Sequence, residues 1–408
     1  MKFKLNKIIL INFMVKSNIE TFLRIKPSDN LLSHLHSNSM TNEEIRELIE
    51  NRRNLNEMNY ELNDNNSVLG ITMPDEMRKG YINNLKKTYE FKFNGVFDKT
   101  SSQEDIFKKI GSKVIDNSLE GYNNTVFCYG QTGSGKTFTM CGSKLWKERG
   151  LIPRIIIELF KQMKKVKNYS YEIFISYLEI YNENAYDLLD RQHSEMDIEK
   201  WRKITVYEDN MGNIIMKNLY MIKVENEQQA LDLLMNGNYI RHVSSTPNNL
   251  ASSRSHAIFS CVLEGKEINS EFMRVSKINL VDLAGSERMK SNQYDTNTAN
   301  ETKYINLSLS FLEQVIIALN EKSNGQRTHI PYRNSLMTTI LKDSLGGNCK
   351  TILIANVSSE IDNIEETFST MRFAMRCGMV ENEIKINQHV DLNILVSKLH
   401  SENEELRK

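Results

Sequence analysis

The chain has 408 residues, 40% of them hydrophobic and 25% charged, an ordinary composition for a globular protein with enough apolar residues for a large core. Lys plus Arg and Asp plus Glu number 52 each, so overall charge does not favour general nucleic-acid binding, and an acidic partner would need a local patch. No run of about 18 uninterrupted apolar residues occurs, so we expect no transmembrane helix and no membrane partner. The five cysteines are widely spaced and form no C-x-x-C pair, which predicts free thiols in a reducing compartment.

Residues 1–18 are predicted to form an N-terminal extension. Lys2, Lys4 and Lys7 flank an apolar run over residues 8–15, a pattern that a signal peptide shares. No small-residue cleavage site follows, so we prefer the extension and keep a targeting role as the alternative.

Residues 19–379 are predicted to form one α/β domain. Residues 28–87 are rich in Asn, Glu and Arg and are interpreted as a polar surface insertion, with a polar helix over residues 41–56. Buried strands are predicted over residues 125–129, 171–180, 277–283 and 351–357, and helices over residues 227–243 and 304–319. Strands that alternate with helices predict a central, mostly parallel or mixed sheet with helices on both faces.

The character of the sequence changes after Val380. Residues 380–391 are polar and carry few structure signals, and are interpreted as a linker. Residues 392–408 predict a helix with leucines spaced three, four and seven residues apart, namely Leu392, Leu395, Leu399 and Leu406. The pattern fits either the start of a coiled coil, and hence a homodimer, or a lone amphipathic helix. Because it stops at Lys408, we expect the chain to be part of a longer protein.

One loop carries a complete phosphate-binding motif, G-x-x-x-x-G-K-[ST], directly after a predicted strand. Glycines let backbone N–H groups turn towards phosphate oxygens, and a helix N-terminus adds favourable partial charge. Lys136 is predicted to reach the β- and γ-phosphates, and the Thr137 hydroxyl to hold Mg²⁺. The alternative, a chance match in a loop, is disfavoured by the strand before it. The motif residues are Gly130, Gln131, Thr132, Gly133, Ser134, Gly135, Lys136 and Thr137.

Two further segments suggest a phosphate sensor. Residues 249–256 combine several hydroxyls with one arginine, Arg254. Residues 282–287 follow a hydrophobic strand, and Asp282 at its end is placed to hold a Mg²⁺-bound water. Gly285 could bring its N–H to a γ-phosphate with no side chain in the way.

These three segments, GQTGSGKT, N-x-x-SSRSH and DLAGSE, resemble the P-loop, switch I and switch II of kinesin motor domains. A myosin carries different residues in all three, and the N-K-x-D motif of a small GTPase does not occur. The similarity covers residues 19–379. Supporting matches occur at residues 121–125, 176–183, 329–333 and 343–348.

The resemblance implies ATP and ADP with Mg²⁺ as ligands, and it implies roles for individual residues. Arg24 and Pro27 would pack on the adenine, with Phe138 on its other side. Asn249 would help to hold the phosphate side of the pocket. Ser252 and Ser253 would contact Mg²⁺, the γ-phosphate or the attacking water.

The resemblance also implies that Arg254 and Glu287 pair to close switch I onto switch II. The metal ligands would be Thr137, Ser253 and, through water, Asp282. His256 could be considered a general base, but we prefer a structural role because catalysis in this chemistry is mostly positioning and charge stabilisation.

The implied function is an ATPase motor whose partner is the microtubule. A shift of the switch II helix, over about residues 303–320, would let the linker after residue 379 dock, which by family logic gives plus-end-directed motion. Residues 304–319, 24–27 and 345–349 resemble the kinesin-9 family, which is associated with cilia and flagella, so we expect a cytoplasmic, cytoskeletal and ciliary location. The alternatives are a non-motile or depolymerising microtubule binder, although no Lys-Val-Asp tip occurs, and a nucleotide-binding scaffold with little hydrolysis.

The expected microtubule-facing segment departs from many kinesins, because it lacks three of their basic residues. The departures are Leu307, Leu336 and Thr339, and the basic residues that remain as candidate contacts are Lys290, Lys303, Arg333 and Lys342.

Overall fold

The computed structural model describes residues 14–27, 57–73, 86–196, 198–210, 212–243, 254–268, 270, 272–287, 296–390 and 392–407. The helix predicted over residues 41–56 lies outside these ranges. All five cysteines are free thiols. Among the described helices, none is long and apolar enough to cross a membrane.

The strands include all four that the sequence predicted. Each is longer than predicted, because polar residues at strand ends also pair with neighbours. The strands are β1 Val15–Asn18, β2 Glu20–Lys26, β3 Asn59–Leu62, β4 Val68–Thr72, β5 Thr88–Lys92, β6 Gly95–Phe97, β7 Asn124–Tyr129, β8 Tyr169–Tyr181, β9 Asn184–Asp187, β10 Lys203–Glu208, β11 Ile214–Lys217, β12 Ile222–Val224, β13 His256–Glu267, β14 Phe272–Asp282, β15 Lys350–Ser358, β16 Glu381–Ile384 and β17 Gln388–Val390.

The helices include the predicted one over residues 227–243, with the same bounds, and a longer version of the one predicted over residues 304–319. They are α1, made of Gln103–Ile106, a π-helical turn Phe107–Gly111 and Ser112–Leu119, then α2 Lys136–Met140, α3 Leu151–Met163, α4 Glu227–Val243, α5 Thr296–Ser323, α6 Leu336–Ile340, α7 Ile364–Cys377 and α8 Leu392–Arg407. Short 3₁₀ turns are Trp146–Glu148, Arg191–Glu195, Ile198–Lys200, Tyr332–Asn334, Lys342–Ser344 and Ile361–Asn363.

The main sheet is mixed, with the strand order β11-β10-β9-β8-β13-β14-β7-β15-β2-β6, and β12 and β17 pair with β8 and β14. The five strands from β14 to β6 run parallel to one another. Asp282, at the end of β14, lies opposite Cys128 near the end of β7. The loops that leave these two strands therefore start side by side, where ligands of open α/β sheets bind.

Apolar residues cover both faces of the sheet. Along β7, Val126 and Cys128 belong to one hydrophobic cluster, and Phe127 and Tyr129 belong to the other. Helices α1 to α4 contribute to the first cluster, and α5 to α7 contribute to the second. The predicted α/β architecture with helices on both faces is confirmed.

The interpretation of residues 28–87 as a surface insertion is wrong for its described part. Residues 59–72 form β3 and β4, which join β5 in a separate three-stranded antiparallel sheet. Leu69 and Ile71 of β4 are fully buried in the core, and Tyr89 and Phe91 of β5 pack against the ring of Phe368 on α7. Strands of four or five residues that alternate with polar positions are too short to stand out in an Asn-rich and Glu-rich stretch.

Parts of the predicted N-terminal extension and of the predicted linker form β-strands. Strand β1, in the predicted N-terminal extension, pairs antiparallel with β16 in the predicted linker. Strand β17 pairs with β14 of the main sheet. Asn382 of β16 is buried, and its amide group donates to Ser344 O at 3.2 Å and to Cys349 O at 2.7 Å. The polar composition of residues 380–391 gave no strand signal, but it includes Asn382, which attaches this segment to the core.

Candidate active site

A tight loop joins β7 to α2. Gly130, Gly133 and Gly135 have φ angles of 151°, 80° and 94°, a region that favours glycine. A Cβ at Gly130 would collide with the carbonyl oxygen of Asn356 on β15, whereas Cβ positions at Gly133 and Gly135 meet open space. Glycine at position 130 is thus needed for packing against β15. Glycine at positions 133 and 135 leaves the backbone N–H groups accessible to a ligand.

A cavity of about 840 Å³ lies beside this loop, within the range of sites for small molecules. The structure brings two predicted sets together in its wall, namely the loop residues from Thr132 to Thr137 and the candidate adenine contacts Arg24, Pro27 and Phe138. Gly130 is buried and Gln131 is half-buried, and neither lines the cavity. The cavity is lined by Arg24, Ile25, Lys26, Pro27, Lys99, Thr100, Ser101, Ser102, Gln103, Thr132, Gly133, Ser134, Gly135, Lys136, Thr137, Phe138, Ser143, Lys147 and Glu148.

Arg24 is fixed close to the ring of Phe138. Its Nη1 atom donates to Gln103 Oε1 at 3.1 Å and to Thr139 Oγ1 at 2.7 Å, and its Cζ lies 5.3 Å from the Phe138 ring centroid. Burial lowers the pKa of Arg24 to about 10, so the side chain is still charged at neutral pH. A planar cation beside an aromatic ring offers a surface on which a purine can stack.

Gln103 is a positioning residue that the sequence reasoning missed. Besides accepting from Arg24, its amide nitrogen donates to the carbonyl oxygen of Phe138 at 2.7 Å, and the residue is buried. It opens α1 directly after Ser102, whose hydroxyl accepts from the N–H of Asp105, while the Asp105 carboxylate accepts from the N–H of Ser102. This capping box is readable in the sequence and indicates where the helix begins.

Lys136 is buried inside the loop. Its Nζ atom donates to Gly130 O at 2.9 Å and to Gln131 O at 2.8 Å. Burial lowers the pKa of Lys136, and the nearby Asp282 and Glu287 act in the opposite direction. The ammonium group is thus held next to the bare backbone of the loop, as a phosphate ligand requires.

Asp282 and Thr137 meet where β14 and α2 come together. Thr137 Oγ1 donates to Asp282 Oδ2 at 2.8 Å. The other carboxylate oxygen, Oδ1, is buried and accepts no hydrogen bond from the described residues. Mg²⁺ prefers hard oxygen ligands and keeps several waters, so this hydroxyl and carboxylate fit a hydrated Mg²⁺. The described residues contain no cluster of three or more His, Cys, Asp or Glu able to hold a metal.

Arg241 on α4 is a second residue that the sequence reasoning missed. Its Nη1 donates to Asp282 Oδ2 at 2.8 Å, and its Nε lies 3.7 Å from Glu179 Oε1 on β8. Burial lowers the pKa of Arg241, but the neighbouring Asp282 and Glu179 outweigh it, so the net shift is upward. The sequence contains a signal for the burial of Arg241. Ala230, Leu234 and Arg241 follow the spacing of one helix face, and the first two are buried apolar residues.

The segment after β14 touches the loop at further points. Ser286 N–H donates to Gly130 O at 3.1 Å. Thr132 donates to the Glu287 carboxylate through its N–H at 2.7 Å and through its hydroxyl at 2.5 Å. A Cβ at Gly285 would collide with both side chains. A larger residue at position 285 would therefore have to displace these two side chains.

Three of the predicted site residues, Asn249, Ser252 and Ser253, lie outside the described residues. Arg254 is described and is half-buried. It directly precedes Ser255, whose carbonyl oxygen accepts from Arg241 at 3.1 Å. The pairing of Arg254 with Glu287 stays a prediction.

His256 does not have the properties of a general base. The ring is buried, and its Nδ1 accepts from the N–H of Ala284 at 3.0 Å. Burial, with Arg241 and Lys136 nearby, lowers the pKa of His256 to about 3, far below the range in which a base works at neutral pH. The geometry therefore favours the structural role.

Comparison with known proteins identifies the family. The kinesin motor domain family model matches residues 41–380. The chain belongs to the kinesin family. Members of this family are microtubule-stimulated ATPases.

The relatives of this kinesin include members of the kinesin-9 family, the branch that the sequence motifs indicated. The kinesin-like protein KLP1 of Chlamydomonas reinhardtii is 38% identical over 84% of this chain and 43% of its own length. The Homo sapiens kinesin-like protein KIF9 is 36% identical over 95% of this chain and 45% of its own length. The chain thus spans less than half the length of these relatives.

Solved kinesin structures share the fold. A fast kinesin, 33% identical, has a TM-score of 0.74 and covers 91% of this chain and 94% of its own. A KIF14 dimer in complex with a microtubule, 32% identical, has a TM-score of 0.75 and covers 91% of this chain and 97% of its own.

Proposed function

We propose that this kinesin domain hydrolyses ATP and uses the reaction to move along microtubules. The observation that carries the proposal is the contact between switch II and the nucleotide loop. Residues 282–287 reach the P-loop through Asp282, Ser286 and Glu287, and helix α5 follows a few residues later. A ligand that shifts the P-loop contacts would therefore also bias α5.

In the proposed reaction, Arg24, Pro27 and Phe138 hold the adenine, and the P-loop backbone with Lys136 holds the phosphates. Bound Mg²⁺, held by Thr137, Ser253 and, through water, Asp282, would offset phosphate charge. Ser252 and the N–H of Gly285 would orient the γ-phosphate and the attacking water, while Asn249 supports the phosphate side.

Closure of switch I onto switch II would be fixed by Arg254 and Glu287. Ordering of both switches by the γ-phosphate is a known form of nucleotide switch. In this scheme each side chain positions or stabilises. The proton of the attacking water passes to the phosphate product, so no side chain has to take it up, in agreement with the neutral His256.

The linker after residue 379 would convert this closure into movement. Strands β16 and β17 lie along β1 and β14, and this supports the proposal that linker docking produces the power stroke, directed to the plus end. Helix α8 would begin a coiled coil and allow a homodimer. Leu406, one of the four leucines of the predicted pattern, is exposed, which is compatible with an apolar seam that a partner helix would cover.

A gliding assay with surface-attached protein and polarity-marked microtubules tests the proposal. Microtubules that glide with their minus ends leading confirm plus-end-directed movement. Shortening of microtubules without gliding would instead favour a depolymerising kinesin. Nucleotide binding without gliding or stimulated turnover would favour a scaffold.

The similarity to KLP1 and KIF9 supports a further proposal, that the protein works in the cytoplasm on the cytoskeleton of a cilium or flagellum. Localisation of the tagged full-length protein in ciliated cells of its source tests this. Exclusion of the protein from the axoneme would overturn it.

A further inference from the structure

His256 lies where three elements meet. It is the first residue of β13, it contacts the segment that follows β14, and it contacts the middle of α5. Its Nδ1 accepts from Ala284 N–H at 3.0 Å, and its Nε2 lies 2.8 Å from Ser308 Oγ. All three residues are buried.

The hydrogen bonds fix the state of the ring. A backbone N–H can only donate, so Nδ1 has to be the acceptor, and the proton of the neutral ring is on Nε2. Nε2–H therefore donates to the Ser308 hydroxyl. With a pKa of about 3, the ring keeps this single arrangement throughout the physiological range.

Residues on both sides of Ala284 are hydrogen-bonded to the nucleotide loop. Two residues before it, Asp282 accepts from Thr137, and three residues after it, Glu287 accepts from Thr132. Ala284 itself is fully buried in the same hydrophobic cluster as Leu309 of α5. The imidazole makes a polar contact from this segment to the helix.

We propose that His256 is a positioning residue that couples switch II to helix α5, acting as a fixed spacer between Ala284 and Ser308. The inference rests on the proposed function, because it assumes that α5 transmits the nucleotide state towards the microtubule. It assigns the coupling to one bridging contact rather than to packing alone.

Ser308→Ala is the principal test, since it removes the hydroxyl that faces Nε2 and leaves His256 and Ala284 in place. Ser310→Ala is the matched control, because Ser310 lies on the same helix but is exposed. We expect Ser308→Ala to lower microtubule-stimulated turnover about three- to tenfold, the factor that one hydrogen bond supplies. Turnover without microtubules should stay within about twofold of wild type, and Ser310→Ala should resemble wild type in both assays.

Two substitutions, His256→Asn and His256→Gln, test the contact to Ala284 and the contact to Ser308 separately. Asn can place its amide oxygen near the position of Nδ1 and keep the contact to Ala284, whereas the longer Gln reaches the position of Nε2 and keeps the contact to Ser308. Coupling through the whole bridge predicts that both variants lose stimulation. It also predicts that Ser308→Ala adds little further loss to His256→Asn.

A purely structural histidine gives a different result. Each variant would then melt at a lower temperature, but the ratio of stimulated to basal turnover would be unchanged, and this outcome overturns the proposal. If the position 256 variants do not fold, the comparison of Ser308→Ala with Ser310→Ala decides alone.

A second measurement separates failure of the inference from failure of the proposed function. Hydrogen exchange of α5 is followed without microtubules, with ADP and with a non-hydrolysable ATP analogue. A nucleotide-dependent difference in wild type that is lost in Ser308→Ala supports the coupling even if microtubules do not stimulate turnover. An equal difference in both proteins overturns it.

Discussion

The carboxylate of Glu287 accepts two hydrogen bonds from Thr132 in the P-loop, from its N–H at 2.7 Å and from its hydroxyl at 2.5 Å. The acidic residue that the resemblance assigned to a latch with Arg254 thus also has a partner in the nucleotide loop. If Glu287 can bind either Thr132 or Arg254, its choice of partner would link the conformation of the P-loop to that of switch I.

We predict that Glu287→Ala still binds ATP but hydrolyses it slowly. Removing one partner of a fully buried ion pair costs about 3–5 kcal/mol. Because Glu287 is only half-buried, we expect a loss of about 1–3 kcal/mol, which corresponds to a loss of about five- to 150-fold in microtubule-stimulated turnover. Fluorescent nucleotide titration and a steady-state ATPase assay measure the two effects.

Glu287→Gln is the matched control for that experiment. It keeps an amide oxygen for Thr132 but cannot pair with an arginine by charge. Equal loss in the Ala and Gln variants supports the ion-pair latch, whereas activity in Gln alone assigns the effect to the Thr132 contact. Full turnover in both would contradict a role in closure.

Lys136→Ala is predicted to abolish ATP turnover and leave the fold intact. The change removes the ammonium group held in the loop beside the carbonyl oxygens of Gly130 and Gln131, which is the side-chain charge expected to face the phosphates. Circular dichroism checks the fold, and Lys147→Ala, at an exposed position of the cavity rim, is the control. Turnover within about twofold of wild type would show that the nucleotide site is misassigned.

The pKa of His256 predicts how stability depends on pH. The value is about 3 in the fold and about 6.5 in an unfolded chain, so between these values the unfolded state binds more protons. The neutral His256 ring therefore lowers stability at no pH above about 6.5, whereas the free energy of unfolding falls as the pH decreases from about 6.5 towards 3. His256→Asn should therefore flatten the dependence of the unfolding free energy on pH, by up to about 1.4 kcal/mol per pH unit. Urea unfolding of both proteins between about pH 4.5 and 7 tests this, and parallel curves would refute it.

The parts of the molecule that the sequence predicted well are those with local signals. The strand before Gly130 and the helix Glu227–Val243 were found because apolar periodicity and glycine placement are local properties. The P-loop and Asp282 were found because each motif follows a strand. The P-loop and Asp282 could also be expected to lie close together, because parallel strands end at the same edge of a sheet.

The parts that were missed depend on partners far away in the chain. Strand β16 forms because Val15 lies opposite Ile384, a pairing that no local window contains. Arg241 is a site residue only because Glu179 and Asp282 approach it from two different strands. Long-range pairing of this kind has to be seen in three dimensions.

Two of the basic residues expected to meet the microtubule are already paired within the protein. Glu208, at the end of β10, accepts from Lys342 at 2.6 Å and from Arg333 at 2.9 Å. The contact with Lys342, and to a smaller extent that with Arg333, lowers the pKa of Glu208. The carboxylate would compete with an acidic partner for both cations.

We predict that Glu208→Gln tightens microtubule binding about twofold to tenfold at low salt, because it frees Arg333 and Lys342 for an acidic partner. Glu172→Gln is the control, because it removes the same charge from another exposed ion pair, with Lys223 at 2.6 Å. Co-sedimentation with microtubules measures both. Equal gains in the two variants would show a general charge effect and contradict a specific role for Glu208.

The last prediction concerns two positions on α6 where many kinesins carry basic residues. Leu336 is half-buried and packs against the hydrophobic core, and Thr339 Oγ1 lies 3.1 Å from Tyr332 O and 2.9 Å from Ser335 O. Both positions can accept longer side chains, because Lys and Arg extend their charged ends to solvent along apolar surface. Loss of the threonine hydrogen bond would reduce stability by about 0.5–1.5 kcal/mol.

Leu336→Lys combined with Thr339→Arg should tighten microtubule binding about twofold to tenfold, since each restored charge adds about 0.2–1 kcal/mol. The gain should shrink with salt, because the Debye length falls from about 10 Å at 0.1 M to about 3 Å at 1 M. Co-sedimentation of wild type and the double variant at two salt concentrations tests this. The same variant in a Glu208→Gln background shows whether Arg333 and Lys342 already saturate the contact. If the double variant gains no affinity at low salt in either background, α6 does not face the acidic surface of the microtubule.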